Sequence, residues 1–137
     1  MVWYIAGPMS GIPQFNYPAF IEAATTLRGY GMTIVSPAEL DSQLMHDIAM
    51  ASKTGTLAEM EKLSGETWGD VLARDVKLVA DKVDGICVLP GWQKSRGARL
   101  ECFVGLLTNK QFAEYYDGGF MRIPARFIRD AIQGNMP

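Results

Sequence analysis

The sequence predicts an α/β protein: one domain built on an open parallel sheet with helices on both faces. Two observations carry that expectation. The apolar runs VWYIA, MTIVS and GICVL are short and nearly unbroken, as strands buried on both faces require. Helical periodicity lies between them, at spacings that make strand–helix–strand units with right-handed crossovers. A length of 137 residues suits a single domain with a core that needs no staples.

The first run, Val2 to Ala6, reads as a buried strand that stops at a turn rich in glycine, proline and serine. NYPAFIEAATTLRGYG follows as a helix, with Tyr17, Phe20, Ile21, Ala24 and Leu27 on one face and Gly29 and Gly31 as its stop. MTIVS is a second strand, ended by Pro37. Residues 41–66 hold one or two weak helices broken near Ser52–Gly55; a lid over a site and a plain surface excursion both fit. TWGDVLARDVKLVADKV is helical, capped by Thr67 or Asp70. DGICVLPG is another buried strand, SRGARLECFVGLLTN a helix, KQFAEYY an edge strand and IPARFIRDAIQGN a closing amphipathic helix. The whole is Rossmann-like, of the flavodoxin-like kind. Such sheets bind ligands beyond the carboxyl ends of their strands, where the loops after Ala6 and Leu89 both lie.

Composition narrows the function. A hydrophobic content of 48% and a charged content of 20% describe a soluble globular chain rather than a disordered one. Net charge is -2 with no basic run, so binding to nucleic acid through phosphates has little support. No apolar stretch approaches the ~18 residues of a membrane span, and no signal peptide is expected. Cys87 and Cys102 lack ligand spacing and read as buried free thiols, which suits a reducing cytoplasm. His46 is the only histidine and has no second ligand nearby. Neither a zinc site nor a histidine triad is expected, and no cofactor.

Four features carry chemistry. AGPMSG matches neither common nucleotide fingerprint, because Gly7 and Gly11 stand four apart, yet it suits close approach of backbone to a ligand. Asp75 shares the stripe of Leu72, Val76, Val79 and Val83, which buries a carboxylate. That burial needs a partner or a purpose, either a structural cap or an acid–base role. Gly97, Ala98, Glu101 and Gly105 form a stripe of small residues, so Glu101 points into a tight space or reaches solvent at the stripe's edge. Ser95 is either the N-cap of that helix or, with the free N–H groups of the first turn, an anion holder. A phosphate at Ser95 would lie about one and a half turns from Glu101, the span of one pentose.

Together these positions resemble the nucleoside 2-deoxyribosyltransferase superfamily, nearest its 2′-deoxynucleoside 5′-phosphate N-hydrolase branch. The resemblance rests on WYIAGPMSG and on RDVKLVADKVDGICVLPGWQKSRGARLE with the helix that follows. GPMSGIPQFNYPAF is also similar to small phage-associated proteins of that superfamily. The resemblance implies one deoxyribosyltransferase-like domain over 1–137, with a helical insertion at about 41–66. It implies that Tyr4 orients a nucleophile, Glu101, and that Asp75 aids departure of the base. Gly7, Ser10 and Gly11 would border sugar and phosphate, Ser95 would hold the 5′-phosphate, and Gly97 would let the substrate come close. Two departures stand out. Glu101-Cys102-Phe103 replaces the usual Glu-Leu-Gly, and Met9 and Ser10 stand where hydrolases often carry an arginine, leaving Arg96 or Arg99 to supply charge.

The activity so implied is that of a cytoplasmic nucleotide N-glycosidase acting on a (deoxy)nucleoside 5′-monophosphate. Deoxyribosyl transfer between bases and non-catalytic nucleotide binding are the alternatives. Expected partners are a small nucleotide or nucleoside and a second copy of the chain, as a homodimer or higher homo-oligomer, with neither nucleic acid nor membrane. Phe103, Val104, Leu106 and Leu107 make the helix after Glu101 apolar on many sides, which favours a second covering layer. Gly118–Met121 would be the segment lent to a neighbour, unless the helix over Ile123–Ile132 covers that face in a monomer.

Overall fold

The computed structural model describes residues 1–135. Five strands form one sheet in the order β2-β1-β3-β4-β5. β1 (Val2–Ala6) pairs in parallel with β2 (Thr33–Val35) and β3 (Gly85–Val88), and β3 with β4 (Gln111–Tyr116). β5 (Gly119–Ile123) runs antiparallel to β4. Over one face lie α1 (Tyr17–Gly29), α2 (Pro37–Leu40), α3 (Gln43–Ala51) and α4 (Leu57–Ser64). The other face is covered by α5 (Trp68–Asp81), α6 (Arg96–Leu107) and α7 (Ala125–Gly134).

The alternation of a strand explains the two cores. Trp3 and Ile5 of β1 pack with Phe20, Ala24 and Leu27, while Tyr4 and Ala6 pack with Val79, Val88, Cys102 and Ile128. The chain leaves β1 over one face to reach β2 and returns over the other to β3. A crevice therefore opens between the carboxyl ends of β1 and β3, the switch point of such sheets.

The expected α/β sheet is present, with three corrections. KQFAEYY is an interior strand, not an edge, because the chain reverses at Asp117 and Gly118 and adds β5 outside it. Ile21, expected on the buried face of α1, is 40% exposed; Ala23 takes its place in the core. The closing helix begins at Ala125, after Pro124.

Residues 41–66 form two helices, α3 and α4, broken where the sequence suggests. Their link is pinned to the loop after β1. The Gly11 N–H donates to Gly55 O at 2.8 Å, and the Gln14 N–H to Ser52 O at 2.8 Å. The Gln14 side-chain amide donates to Met50 O at 3.0 Å. Three consecutive residues of this loop are left-handed: Gln14, Phe15 and Asn16, at φ 58°, 51° and 59°. Such residues cost about 1–3 kcal/mol each and persist only where the surroundings hold them. The Gln14 bonds and Asn16 Nδ2 donating to Pro8 O at 2.9 Å do the holding, and buried Phe15 turns toward the crevice. No described helix is long and apolar enough to cross a membrane.

Candidate active site

Tyr4 stands in the middle of β1 on the α5–α6 side, and its hydroxyl donates to Glu101 Oε2. The small stripe of α6 makes this approach workable. Gly105 lies so close to the sheet that a Cβ there would meet Ile86 Cδ1 at 2.5 Å, so α6 sits tightly on β3 and β4. Glu101 is 6% exposed, which removes the solvent-edge alternative. Burial, then the charge of Asp75, pushes its carboxyl up to about 8, against the opposing pull of Tyr4 and Arg74. Asp75 is buried on α5, as its stripe requires, and burial raises its pKa too, with Arg74 opposing. Burial, then Glu101 and Asp75, lifts the Tyr4 phenol well above its ordinary range. Two buried carboxyls thus share one site and hold a proton above the usual carboxylate range.

A second network, which sequence reading missed, supports Asp75. Arg74 Nε donates to Asp75 Oδ1 at 2.9 Å, and Arg74 Nη1 to Asp41 Oδ1 at 2.8 Å. Tyr17, at the start of α1, donates its hydroxyl to Asp41 Oδ2. Arg74 Nη2 is also 2.9 Å from Asp75 Oδ1 but off the hydrogen-bonding direction, and has no hydrogen bond among the described residues. Burial works against the Arg74 charge, yet Asp75 and Asp41 hold its pKa above the ordinary value. The only sequence signal was the Arg-Asp pair at 74–75 in a helix whose face is otherwise apolar. Asp41 gave none, because its partners lie on α1 and α5.

These groups open on a cleft that is partly open to solvent. Gly7, Ser10, Ser95, Gly97, Asp75 and Glu101 line it. Tyr4 stands behind Glu101, fully buried. Gly7 is required where β1 ends, since a Cβ would lie 2.9 Å from Leu89 Cβ; Gly97 has open space beside it. Gly11 stands outside the lining, at φ 81°, with its N–H bonded to Gly55 O. Ser95 is the N-cap of α6, its hydroxyl accepting the Ala98 N–H at 3.2 Å, and it also faces the cleft.

Met45 of α3 and Leu57, Met60 and Glu61 of α4 complete the walls, so the 41–66 excursion covers the site. Thr67 and Asp70 together form the capping box that starts α5 beside it. An adjoining compartment holds Lys94 and Arg96, whereas Arg99 is turned back to Gln93 O at 2.9 Å. Cys87 and Cys102 are buried and free, and burial pushes the Cys87 thiol up to about 12. Among the described residues no three His, Cys, Asp or Glu are grouped as metal ligands.

A family model described as a domain of unknown function, DUF4406, matches residues 1–65 and 61–113. The chain belongs to the DUF4406 family. All of the site residues named above lie within the matched segments, while β5 and α7 lie beyond them. The two matches meet within α4, inside the excursion that roofs the cleft. No curated protein matches the chain.

Proposed function

We propose that this DUF4406 chain is a nucleotide N-glycosidase that cleaves a (deoxy)nucleoside 5′-monophosphate, with Glu101 as nucleophile. One observation carries the reading: a buried carboxyl, bonded by Tyr4 and coupled to a second carboxyl, faces a cleft that has basic groups at one end. Cleavage of an N-glycosidic bond passes through an oxocarbenium-like state. A carboxylate beneath C1′ stabilises that charge and can trap it as a covalent ester. The departing base takes the bonding pair and needs a proton, for which Asp75 is the donor.

The reacting form needs one proton on the pair, which is what burial retains. In the free site Arg74 favours charge on Asp75 and leaves the proton on Glu101. Positive charge growing at C1′ and negative charge growing on the base reverse that preference as the bond breaks. Water then attacks C1′, passing a proton to the Asp75 carboxylate, which releases Glu101 and yields the sugar phosphate; attack by a second base would make the reaction a transfer. Ser95, Arg96 and Lys94 are the groups suited to the 5′-phosphate.

The buried thiols fit a cytoplasmic setting. A homodimer is the matching assembly. Leu100, Phe103 and Leu107 form an outward stripe on α6, 37%, 48% and 67% exposed, while Val104 and Leu106 pack with the α7 core.

The test is incubation with ribo- and deoxyribonucleoside monophosphates and the matching nucleosides, with and without an added acceptor base, measuring free base. Release that falls beyond ~100-fold in Glu101→Gln is expected. Parent-like activity of that variant would remove Glu101 from the mechanism. No free base from any substrate would leave nucleotide binding without catalysis.

A further inference from the structure

We propose that the cleft selects a base bearing an exocyclic amino group, a 4-aminopyrimidine or 6-aminopurine, over its oxo counterpart. The inference rests on the glycosidase reading in taking a nucleoside monophosphate as the occupant. Its basis is a segregation of charge along the cleft. The compartment over Glu101 is lined by the acidic residues Asp41, Glu61, Glu66, Asp75 and Glu101, and by no Lys, Arg or His among the described residues. The adjoining compartment carries Lys94 and Arg96 and no carboxylate. Ser10, Leu57, Trp68 and Ser95 line both, so one ligand can span them. Such a ligand is anionic at one end and donates hydrogen bonds at the other. With the phosphate at Lys94 and Arg96, the donating end is the base.

Which carboxylates remain free decides the point. Both oxygens of Asp41 are taken, by Arg74 and Tyr17, and Asp75 Oδ1 is taken by Arg74. Glu61 of α4 accepts the Trp68 N–H at Oε1, at 2.9 Å, and its Oε2 has no partner among the described residues. The Glu66 carboxylate likewise has none among them. An ionised carboxylate only accepts. An amino group on the base satisfies these oxygens, whereas a carbonyl there sets lone pair against lone pair. The rest of the wall at that end (Met45, Met60, Phe15, Phe20) offers no side-chain donor, the Tyr17 hydroxyl is taken by Asp41 and Thr67 by the cap of α5; the donors Ser10, Ser95 and Trp68 stand where the two compartments meet, and the proton on the Asp75–Glu101 pair goes to the departing ring atom.

The experiment is a calorimetric titration of two pairs that differ only in amino against oxo: cytosine with uracil monophosphate, and adenine with hypoxanthine monophosphate. Free base is followed in parallel, and Glu61→Gln, Glu66→Gln and the double variant are compared, with circular dichroism as a check on folding. The amino member of each pair is expected to bind at least about tenfold more tightly, the discrimination of one hydrogen bond to a charged acceptor. The ratio should fall toward one in the double variant, whose amides can donate to a carbonyl. Equal or reversed preference in the parent protein overturns the selectivity and leaves the glycosidase reading standing if base is released. A ratio unchanged in the double variant overturns the assignment to Glu61 and Glu66. Amino-selective binding without base release upholds the selectivity and removes the glycosidase reading. Binding of none of the four overturns both.

Discussion

Glu101→Gln is predicted to stabilise the fold, and to do so increasingly as pH rises. In the folded chain the Glu101 carboxyl holds its proton up to about 8, chiefly because it is buried, against an ordinary 4.5. Between those two values the unfolded chain has released the proton and the folded chain has not. Stability therefore falls with rising pH through that window and is flat outside it. At about 1.4 kcal/mol per pH unit for one proton, the window amounts to a ceiling of roughly 5 kcal/mol. Relaxation of the site around a charged Glu101 and proton sharing with Asp75 reduce it to about half, ~2–3 kcal/mol. For a domain of this size that is roughly 7–10 °C in midpoint. Glutamine keeps the shape and can accept the Tyr4 hydroxyl, but it cannot ionise. Thermal unfolding of the parent and the variant should be followed by calorimetry from pH 5 to 9. The two midpoints are expected to lie close near pH 5 and to separate, variant above parent, by pH 8.5. Curves that stay parallel across the range would refute the buried-proton account of this carboxyl.

Three further predictions address the site and its supports. Ser95→Ala should weaken binding of 5′-monophosphates by roughly 1.5–3 kcal/mol while sparing the nucleosides; equal loss for both in titration would reduce Ser95 to a helix cap. Gly55→Ala should destabilise the fold by about 2 kcal/mol or more, since the residue sits at φ 68° and a Cβ would lie 2.1 Å from Ile12 O; a denaturant midpoint equal to the parent's would show that the link between α3 and α4 is not pinned there. Leu107→Glu should turn a dimer into a monomer in light scattering at micromolar concentration, because it sets a charge in the outward stripe of α6; a parent protein already monomeric and fully active at nanomolar concentration would dismiss a shared site.

The sequence by itself determined the sheet and most of its helices. Unbroken apolar runs and the stripes on α1 and α5 are local consequences of which faces are buried, so they survive in a one-dimensional reading. The same logic placed Asp75 inward and Glu101 among small residues, because helical period fixes direction within an element. Where α6 had two readings, inward or toward solvent, the close seat of Gly105 on Ile86 and Phe112 decided it. The break between α3 and α4 was legible too, yet whether they formed a lid was not, since that depends on hydrogen bonds from Gly11 and Gln14 across the fold. Only the tertiary structure decided what joins distant elements. Arg74 bridges Asp75 to Asp41, Tyr17 closes that chain, and β5 makes an interior strand of β4. Three left-handed residues at 14–16 leave no mark on composition, because their strain is borne by bonds to residues 8, 50 and 52. Periodicity reports what a segment buries; the partner it buries against is a property of the packed chain.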